Sequence, residues 1–114
     1  MDVTQESAGE VAIIVVAGRM DAAGARQFTE AVSALVHSGR SRLLLDASRL
    51  EYIGSLGMRA LLLAARAATH ASGRLVLVGL AEPVRRVLEL GGFGSSFEIH
   101  ASRDDALTGF NAAP

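Results

Sequence analysis

The segment of this sequence with the clearest capacity for chemistry runs from Tyr52 to Arg59. It carries one aliphatic hydroxyl, that of Ser55, where a helix is expected to begin. A strand-like run, Arg42 to Asp46, precedes the segment, and an apolar run of helical length follows it. Serine is a preferred N-cap because its oxygen accepts a hydrogen bond from an otherwise free amide N–H of the first turn. Those N–H groups and the positive end of the helix dipole also suit a phosphoryl group. The pattern therefore predicts Ser55 as a helix cap that can carry a phosphoryl group.

A catalytic role for Ser55 is the alternative that its pattern supports least. A hydrolase nucleophile elbow has glycine two residues before and two residues after the serine. Gly57 meets the second requirement, but Ile53 stands in the first position. His70 lies about four turns along the same helix, too far to act as a base, and His100 has no supporting pattern. We therefore expect a regulatory serine and no enzyme, although a lone serine of this kind is most often only a cap.

The composition is that of one globular domain over residues 1–114. Half of the residues are hydrophobic and the net charge is −1, whereas nucleic-acid binding favours a basic face. The chain has no cysteine, and His37, His70 and His100 lack metal-ligand spacing, so we expect no metal and no other cofactor. No apolar run is long enough to span a bilayer and no signal-peptide pattern is present, which favours a cytoplasmic protein without membrane contacts.

Hydrophobic periodicity predicts strands that alternate with helices, and hence an α/β domain. We expect four or five strands, at Val3–Glu6, Val11–Ala17, Arg42–Asp46, Arg74–Gly79 and Phe97–His100. We also expect about four helices: three follow the caps Asp21, Ser55 and Ser102, and one starts at Glu82-Pro83. The first two strands are joined by a short turn and should pair antiparallel, so the sheet is mixed but largely parallel. In the third helix Val84, Val87 and Leu88 are expected to face inward, and the chain should fray from Asn111 to Pro114.

Asp21 and Asp46 could be paired carboxylates, but each has a simpler interpretation. Gly18 to Asp21 breaks the second strand, and Asp21 is expected to cap the helix that follows. Asp46 is expected to end a strand and to bind loop amides. Residues 47–53 then form a connection, tied down by the apolar side chains of Leu50 and Ile53.

The helix that Ser55 is expected to cap is apolar on more than one side. Met58, Leu61, Leu62, Ala65 and Ala68 recur at helical spacing and are assigned to the core. Arg59, Leu63, Arg66 and His70 recur at the same spacing on another face. Leu56, Ala60 and Leu63 would then be exposed beside Arg59, and an apolar patch rimmed by arginine is typical of a protein-binding surface. The pattern is equally compatible with a helix that is simply buried.

Three parts of the sequence together resemble the STAS-domain anti-sigma factor antagonists of bacteria, from about Val11 to Leu107. The turn Gly18-Arg19-Met20-Asp21 resembles the family's Gly-x-Leu-Asp turn. The segment Leu44-Leu45-Asp46 with Tyr52 to Arg59 resembles its strand, loop and phosphoserine segment. The later segments Leu77-Val78-Gly79, Val84 to Leu90 and Phe97-Glu98-Ile99 resemble its third strand, short helix and closing strand.

This resemblance implies a mixed STAS-like sheet and a partner-switching function in transcription regulation. Such a protein binds an anti-sigma factor that is also a serine kinase and thereby releases a sigma factor. The kinase ends the interaction by phosphorylating a serine, here Ser55, and a serine phosphatase restores it. The implied partner-binding residues are Asp21, Gly54, Ser55, Leu56, Gly57, Arg59, Ala60 and Leu63. The protein is expected to be a monomer or a weak dimer.

The phosphoserine segment departs from the family pattern at two positions. The family often has Asp-Ser-Ser/Thr-Gly, whereas this chain has Gly54-Ser55-Leu56-Gly57. The acidic residue and the second hydroxyl are therefore missing. This departure leaves a second hypothesis open, in which the chain is a non-phosphorylated STAS subunit of a larger assembly, such as a lipid-transport or sensory complex.

Overall fold

The computed structural model describes residues 1–111, and within them it confirms the α/β class with five strands and four helices. The strands are β1 (Asp2–Ala8), β2 (Val11–Met20), β3 (Arg42–Ile53), β4 (Arg74–Val78) and β5 (Glu98–His100). The helices are α1 (Ala22–His37), α2 (Ser55–His70), α3 (Glu82–Leu90) and α4 (Arg103–Asn111). Of the segment expected to fray, Asn111 ends α4, and residues 112–114 lie outside the described part.

A single sheet with the strand order β1-β2-β3-β4-β5 forms the centre of the molecule. β1 pairs antiparallel with β2, and every other neighbouring pair is parallel. A parallel pair needs a crossover connection, and α1, α2 and α3 supply the three crossovers. The predicted mixed, largely parallel sheet is confirmed.

The two faces of the sheet are covered unequally. Along β2, Ile14 and Val16 point into a large core with α1, α2 and α3, whereas Val11 and Ile13 point into a smaller core with α4. Side chains alternate between the faces of a strand, so a strand covered on both faces is apolar at nearly every position. This explains the continuous apolar run in β2.

The ends of β2 and β3 correct two sequence-based predictions. Gly18 to Met20 do not break the second strand, and residues 47–53 are not a connection, because both segments pair in parallel. The register joins Gly18 to Leu50 and Met20 to Ile53, with an irregularity near Gly18, whose φ is +106°. β4 accompanies β3 only as far as Asp46. The last part of this pair, residues 17–20 and 49–53, therefore projects past β4 as a two-stranded extension.

Helix ends largely follow the predicted signals. The Asp21 carboxylate accepts a hydrogen bond of 2.9 Å from the Gly24 N–H and caps α1. The Ser102 hydroxyl accepts one of 3.1 Å from the Asp105 N–H and caps α4. Val87 is a correction: it is 41% exposed, because α3 buries only the side that carries Val84 and Leu88.

Asp46 is a buried carboxylate that joins the sheet to α4. Its Oδ1 accepts hydrogen bonds from the Ser48 N–H (3.0 Å) and the Ser48 hydroxyl (2.7 Å), and its Oδ2 lies 2.8 Å from Arg103 Nε. Arg103 also contacts both carboxylate oxygens of Glu6, at 3.1 and 3.2 Å. Burial raises the pKa of Asp46, but the bonds from Ser48 and Arg103 outweigh it and hold that pKa below its ordinary value. Asp46 is thus a structural carboxylate that binds one amide, a hydroxyl and a guanidinium.

Replacing Asp46 should destabilise the protein in a pH-dependent way. Asp46→Asn keeps the shape but loses the ion pair, and should lower the free energy of unfolding by about 1–2 kcal/mol at pH 7. A lowered folded-state pKa stabilises the protein at pH values above the unfolded-state pKa, and this stabilisation is lost as pH falls through the folded-state pKa. The difference from wild type should therefore shrink below about pH 4. Urea unfolding at several pH values measures this difference in the free energy of unfolding. Glu51→Gln is the control, because Glu51 is an exposed carboxylate of β3. A pH-independent difference would contradict this account.

Candidate functional site around Ser55

Ser55 is the first residue of α2, not its N-cap. Gly54 has the extended backbone of a cap (φ −94°, ψ −177°), and its carbonyl accepts the first helical bond from the Met58 N–H at 2.9 Å. Gly54 has no side chain, so α2 has no side-chain cap. The Ser55 side chain is exposed and makes no hydrogen bond within residues 1–111. The expectation of a serine cap was therefore wrong by one position, and its hydroxyl is accessible.

Gly57 fixes the first turn of α2 against the end of β2. A Cβ atom at this position would lie 2.7 Å from the Met20 carbonyl oxygen and 2.8 Å from Cγ1 of Ile53. The Gly54 N–H also donates to the Met20 carbonyl, at 3.1 Å. The start of α2 is thus held against the backbone of the two-stranded extension, which sets the position of Ser55.

The outer face of α2 carries the exposed part of the site. Leu56 is 54% exposed and Leu63 is 47% exposed, and Arg59 lies between them on the same face. Ala60, expected on this face, is only 6% exposed and packs in the large core, as Gly57 also is buried. We call Ser55, Leu56, Arg59 and Leu63 the α2 surface. Of the predicted partner-binding residues, these four are accessible on the helix.

Two shallow cavities flank the α2 surface. One, of about 350 Å³, lies between α2 and α3; it is lined by Ile53, Gly54, Ser55, Met58, Arg59, Leu62, Val87, Gly91 and Phe93. The other, of about 270 Å³, lies between α2 and α1 and includes Leu56, Arg59 and Leu63. Both are mostly apolar. Exposed leucines next to apolar cavities form a surface on which a partner protein can bury side chains.

Two residues near the start of α2, Arg19 and Tyr52, were assigned no role from the sequence. The guanidinium of Arg19 lies 4.1 Å from the centre of the Tyr52 ring, a cation–π contact across the end of the two-stranded extension. The Tyr52 hydroxyl lies 3.0 Å from where a Cβ of Gly54 would be. Their pairing depends on the register of β2 with β3, and no sequence signal would have indicated it.

Asp21 lies next to Met20, at the start of α1. Its carboxylate is occupied by the Gly24 N–H, and this bond is the main reason why the pKa of Asp21 is below its ordinary value. Asp21 and Asp46 make no contact with each other and are not paired carboxylates. Asp21 binds the Gly24 N–H, and Asp46 binds Arg103.

The histidines offer no partner to Ser55 within the described residues. His70 is the last residue of α2, roughly 22 Å from its start at 1.5 Å per residue. The His100 ring lies 2.9 Å from Glu98 Oε2, and His37 contacts the Ser33 carbonyl at 2.8 Å. Residues 1–111 contain no group of three or more side chains suited to hold a metal ion. None of their helices has the length and apolar composition needed to cross a membrane.

Comparison with known proteins identifies the family. A family model described as "Mlab, STAS domain" matches residues 3–99, most of the chain. The chain belongs to the STAS domain family. The resemblance found in the sequence is thereby confirmed, and the match includes the whole of β1 to β4 except Asp2, together with α1, α2 and α3.

Two curated relatives and one solved structure are similar to this STAS domain over most of its length. The proposed anti-sigma factor antagonist BtrV of Bordetella bronchiseptica is 36% identical over 113 residues, covering 99% of this chain and 97% of that protein. The anti-sigma-F factor antagonist RsfB of Mycobacterium tuberculosis is 29% identical, covering 87% of this chain and 80% of that protein. The structure of the anti-sigma factor antagonist SpoIIAA in its unphosphorylated form has a TM-score of 0.76 at 19% identity, covering 98% of this chain and all of that chain, and so supports the fold.

Enlarging Gly57 should disturb the start of α2. Gly57→Ala places a methyl group against the Met20 carbonyl, and should lower the free energy of unfolding by about 1–3 kcal/mol, the usual cost of overpacking. Gly109→Ala, in α4, is the matched control, because a Cβ there meets only the ends of side chains, at 3.5 Å or more. The control should be neutral or slightly stabilising. Thermal unfolding of both variants measures the difference; equal effects would contradict the close contact.

Proposed function

We propose that this STAS domain is an anti-sigma factor antagonist that binds an anti-sigma factor through the α2 surface and is switched off by phosphorylation of Ser55. The observation that carries the proposal is the exposed Ser55 hydroxyl, at the start of a helix and free of hydrogen bonds within residues 1–111, beside two exposed leucines. The names of BtrV and RsfB, which match most of this chain, support the antagonist function. A solved structure of SpoIIAA in a phosphorylated form, with a TM-score of 0.74, supports modification within this fold.

The binding step uses the apolar part of the α2 surface. Leu56 and Leu63 are about half exposed, so a partner that covers them removes apolar area from water, which contributes roughly 25 cal/mol per Å². Arg59 between them offers hydrogen bonds to carboxylates of the partner. An accessible hydroxyl at Ser55 tolerates burial if the partner supplies a hydrogen bond.

Phosphorylation changes the charge at this surface without requiring a change of fold. The kinase would transfer the γ-phosphoryl group of ATP: a bond forms between Ser55 Oγ and phosphorus, ADP leaves, and the hydroxyl proton passes to a base of the kinase. The product carries roughly −1.5 to −2 charge at pH 7. A partner that buried this end of α2 would then desolvate a dianion, at a cost of several kcal/mol unless it is paired.

Substitutions at Ser55 should separate the two states. Ser55→Asp should weaken binding of the anti-sigma factor about tenfold or more, since roughly 1.4 kcal/mol corresponds to tenfold in affinity. Ser55→Ala should bind like the unmodified protein and be resistant to the kinase. Titration calorimetry with the anti-sigma factor purified from the native cell measures both. Ser95→Asp, an exposed serine in the loop before β5, controls for the added charge. Wild-type affinity for Ser55→Asp would contradict the switch.

The phosphorylation itself can be tested by intact mass and fragmentation of the protein from its native cell. A phosphoryl mass localised to Ser55 supports the switch. Unmodified protein under several growth conditions argues against it.

A second candidate function, a non-phosphorylated subunit of a larger assembly, is favoured by one observation. Gly54 and Leu56 replace the acidic residue and the second hydroxyl common in the phosphoserine segment, while Leu56 adds exposed apolar area. In that case the α2 surface is a permanent contact. Co-purification with transport or sensory subunits, without a serine kinase, distinguishes this candidate from the first.

A further inference from the structure

Arg59 follows Ser55 by four residues on α2. Side chains at positions i and i+4 of a helix are neighbours on one face, with about 5–6 Å between their Cβ atoms. Both residues are exposed, and both line the cavity between α2 and α3. A group attached to Ser55 Oγ is therefore within reach of the flexible Arg59 side chain.

The Arg59 guanidinium has no acidic partner within residues 1–111. The arginine ion pairs of this part of the chain engage three other arginines: Arg42 with Glu10, Arg74 with Glu98, and Arg103 with Glu6 and Asp46. Arg19, on the extension beside Ser55, is stacked on Tyr52. Among these cations Arg59 is the one that shares a cavity with Ser55 and is not already paired.

The charges around Ser55 favour an added anion. The charged residues that line the two cavities beside the α2 surface are Arg59, which lines both, and Arg26 and Glu30, which line the cavity on the α1 side. The carboxylate of Asp21 precedes α1. Asp21 is already bonded to the Gly24 N–H. The side facing α3 is apolar, with Val87 and Phe93. In the linings of these two cavities two cations therefore stand against one carboxylate, and in the cavity that contains Ser55 the charged lining residue is Arg59.

Gly54 supplies no side-chain cap that could compete with a phosphoryl group for the N–H groups at the start of α2. With no carboxylate at this position, the cap residue carries no negative charge that would repel a phosphoryl group. The planar guanidinium of arginine binds phosphate oxygens through two parallel hydrogen bonds, which makes it a better phosphate partner than a point charge.

We propose that Arg59 binds the phosphoryl group of phosphorylated Ser55 within the same chain. The inference rests on the proposed modification of Ser55 and adds how the new charge is held. Phosphorylation then acts twice on the α2 surface: it adds an anion at Ser55, and it withdraws the Arg59 guanidinium from the partner. Arg59 is in this account a phosphate-binding residue of the switched state.

The test uses the full chain with phosphoserine incorporated at position 55 by genetic encoding, so that no kinase is needed. Phosphorus NMR follows the second ionisation of the phosphoserine, whose pKa is ordinarily about 6. A neighbouring cation favours the dianion and lowers this pKa. Arg59→Gln should therefore raise it by about 0.3 to 1 unit relative to the phosphorylated wild type. Arg59→Lys should restore part of the lowering, because it keeps the charge but not the paired hydrogen bonds.

Arg66→Gln is the matched control, since Arg66 is exposed on the same helix but its backbone lies roughly 16 Å along the helix axis from that of Ser55. It should leave the phosphoserine pKa as in the wild type, and the effect of Arg59→Gln should shrink in 1 M salt. Equal pKa values for Arg59→Gln, Arg66→Gln and wild type would overturn the proposal. A result in favour stands even if the native protein is never phosphorylated, so failure of the proposed function and failure of this pairing are distinguishable.

Discussion

The contact between Gly57 and the Met20 carbonyl is the constraint on which the site depends. It brings the first turn of α2 against the backbone at the end of β2, closer than any side chain at position 57 would permit. The Gly54 N–H donates to the same carbonyl, so the residues on both sides of Ser55 are fixed to one backbone atom. Because strand pairing holds Met20 against Ile53, the position of Ser55 is set by the sheet and not by the flexibility of a loop.

Because the first turn of α2 is held against the sheet, one side of the helix is exposed and the other side is buried. Ser55, Arg59 and the two leucines are exposed, whereas the opposite side of the helix is packed into the large core. A phosphoryl group can therefore be added at the surface without disturbing the interior. In the proposed switch its effects would be electrostatic and local: an anion where a partner would desolvate it, and a nearby arginine able to bind it. Such a switch needs no change of fold in the domain itself.

Much of the fold could be predicted because local signals and burial agree. The apolar run of β2 predicted a strand covered on both faces, and Asp21 and Ser102 predicted two helix starts through their capping hydrogen bonds. The prediction stopped both strands too early, β2 at Ala17 before the break expected at Gly18, and β3 at Asp46. Those residues resemble breaks locally, but parallel pairing between the two strand ends satisfies the backbone beyond them.

The sequence by itself determined the order of strands and helices, the family pattern, and Ser55 as the residue of interest, because periodicity and capping are properties of neighbours along the chain. Only the tertiary structure decided which side of α2 is free. It buried Ala60, left Leu56 and Leu63 exposed, and made Gly54 the cap in place of Ser55. It also placed Arg19 on Tyr52. Each of these outcomes depends on how α2 packs against α1 and the ends of β2 and β3, and contacts between segments distant in sequence leave no periodic signal in either one.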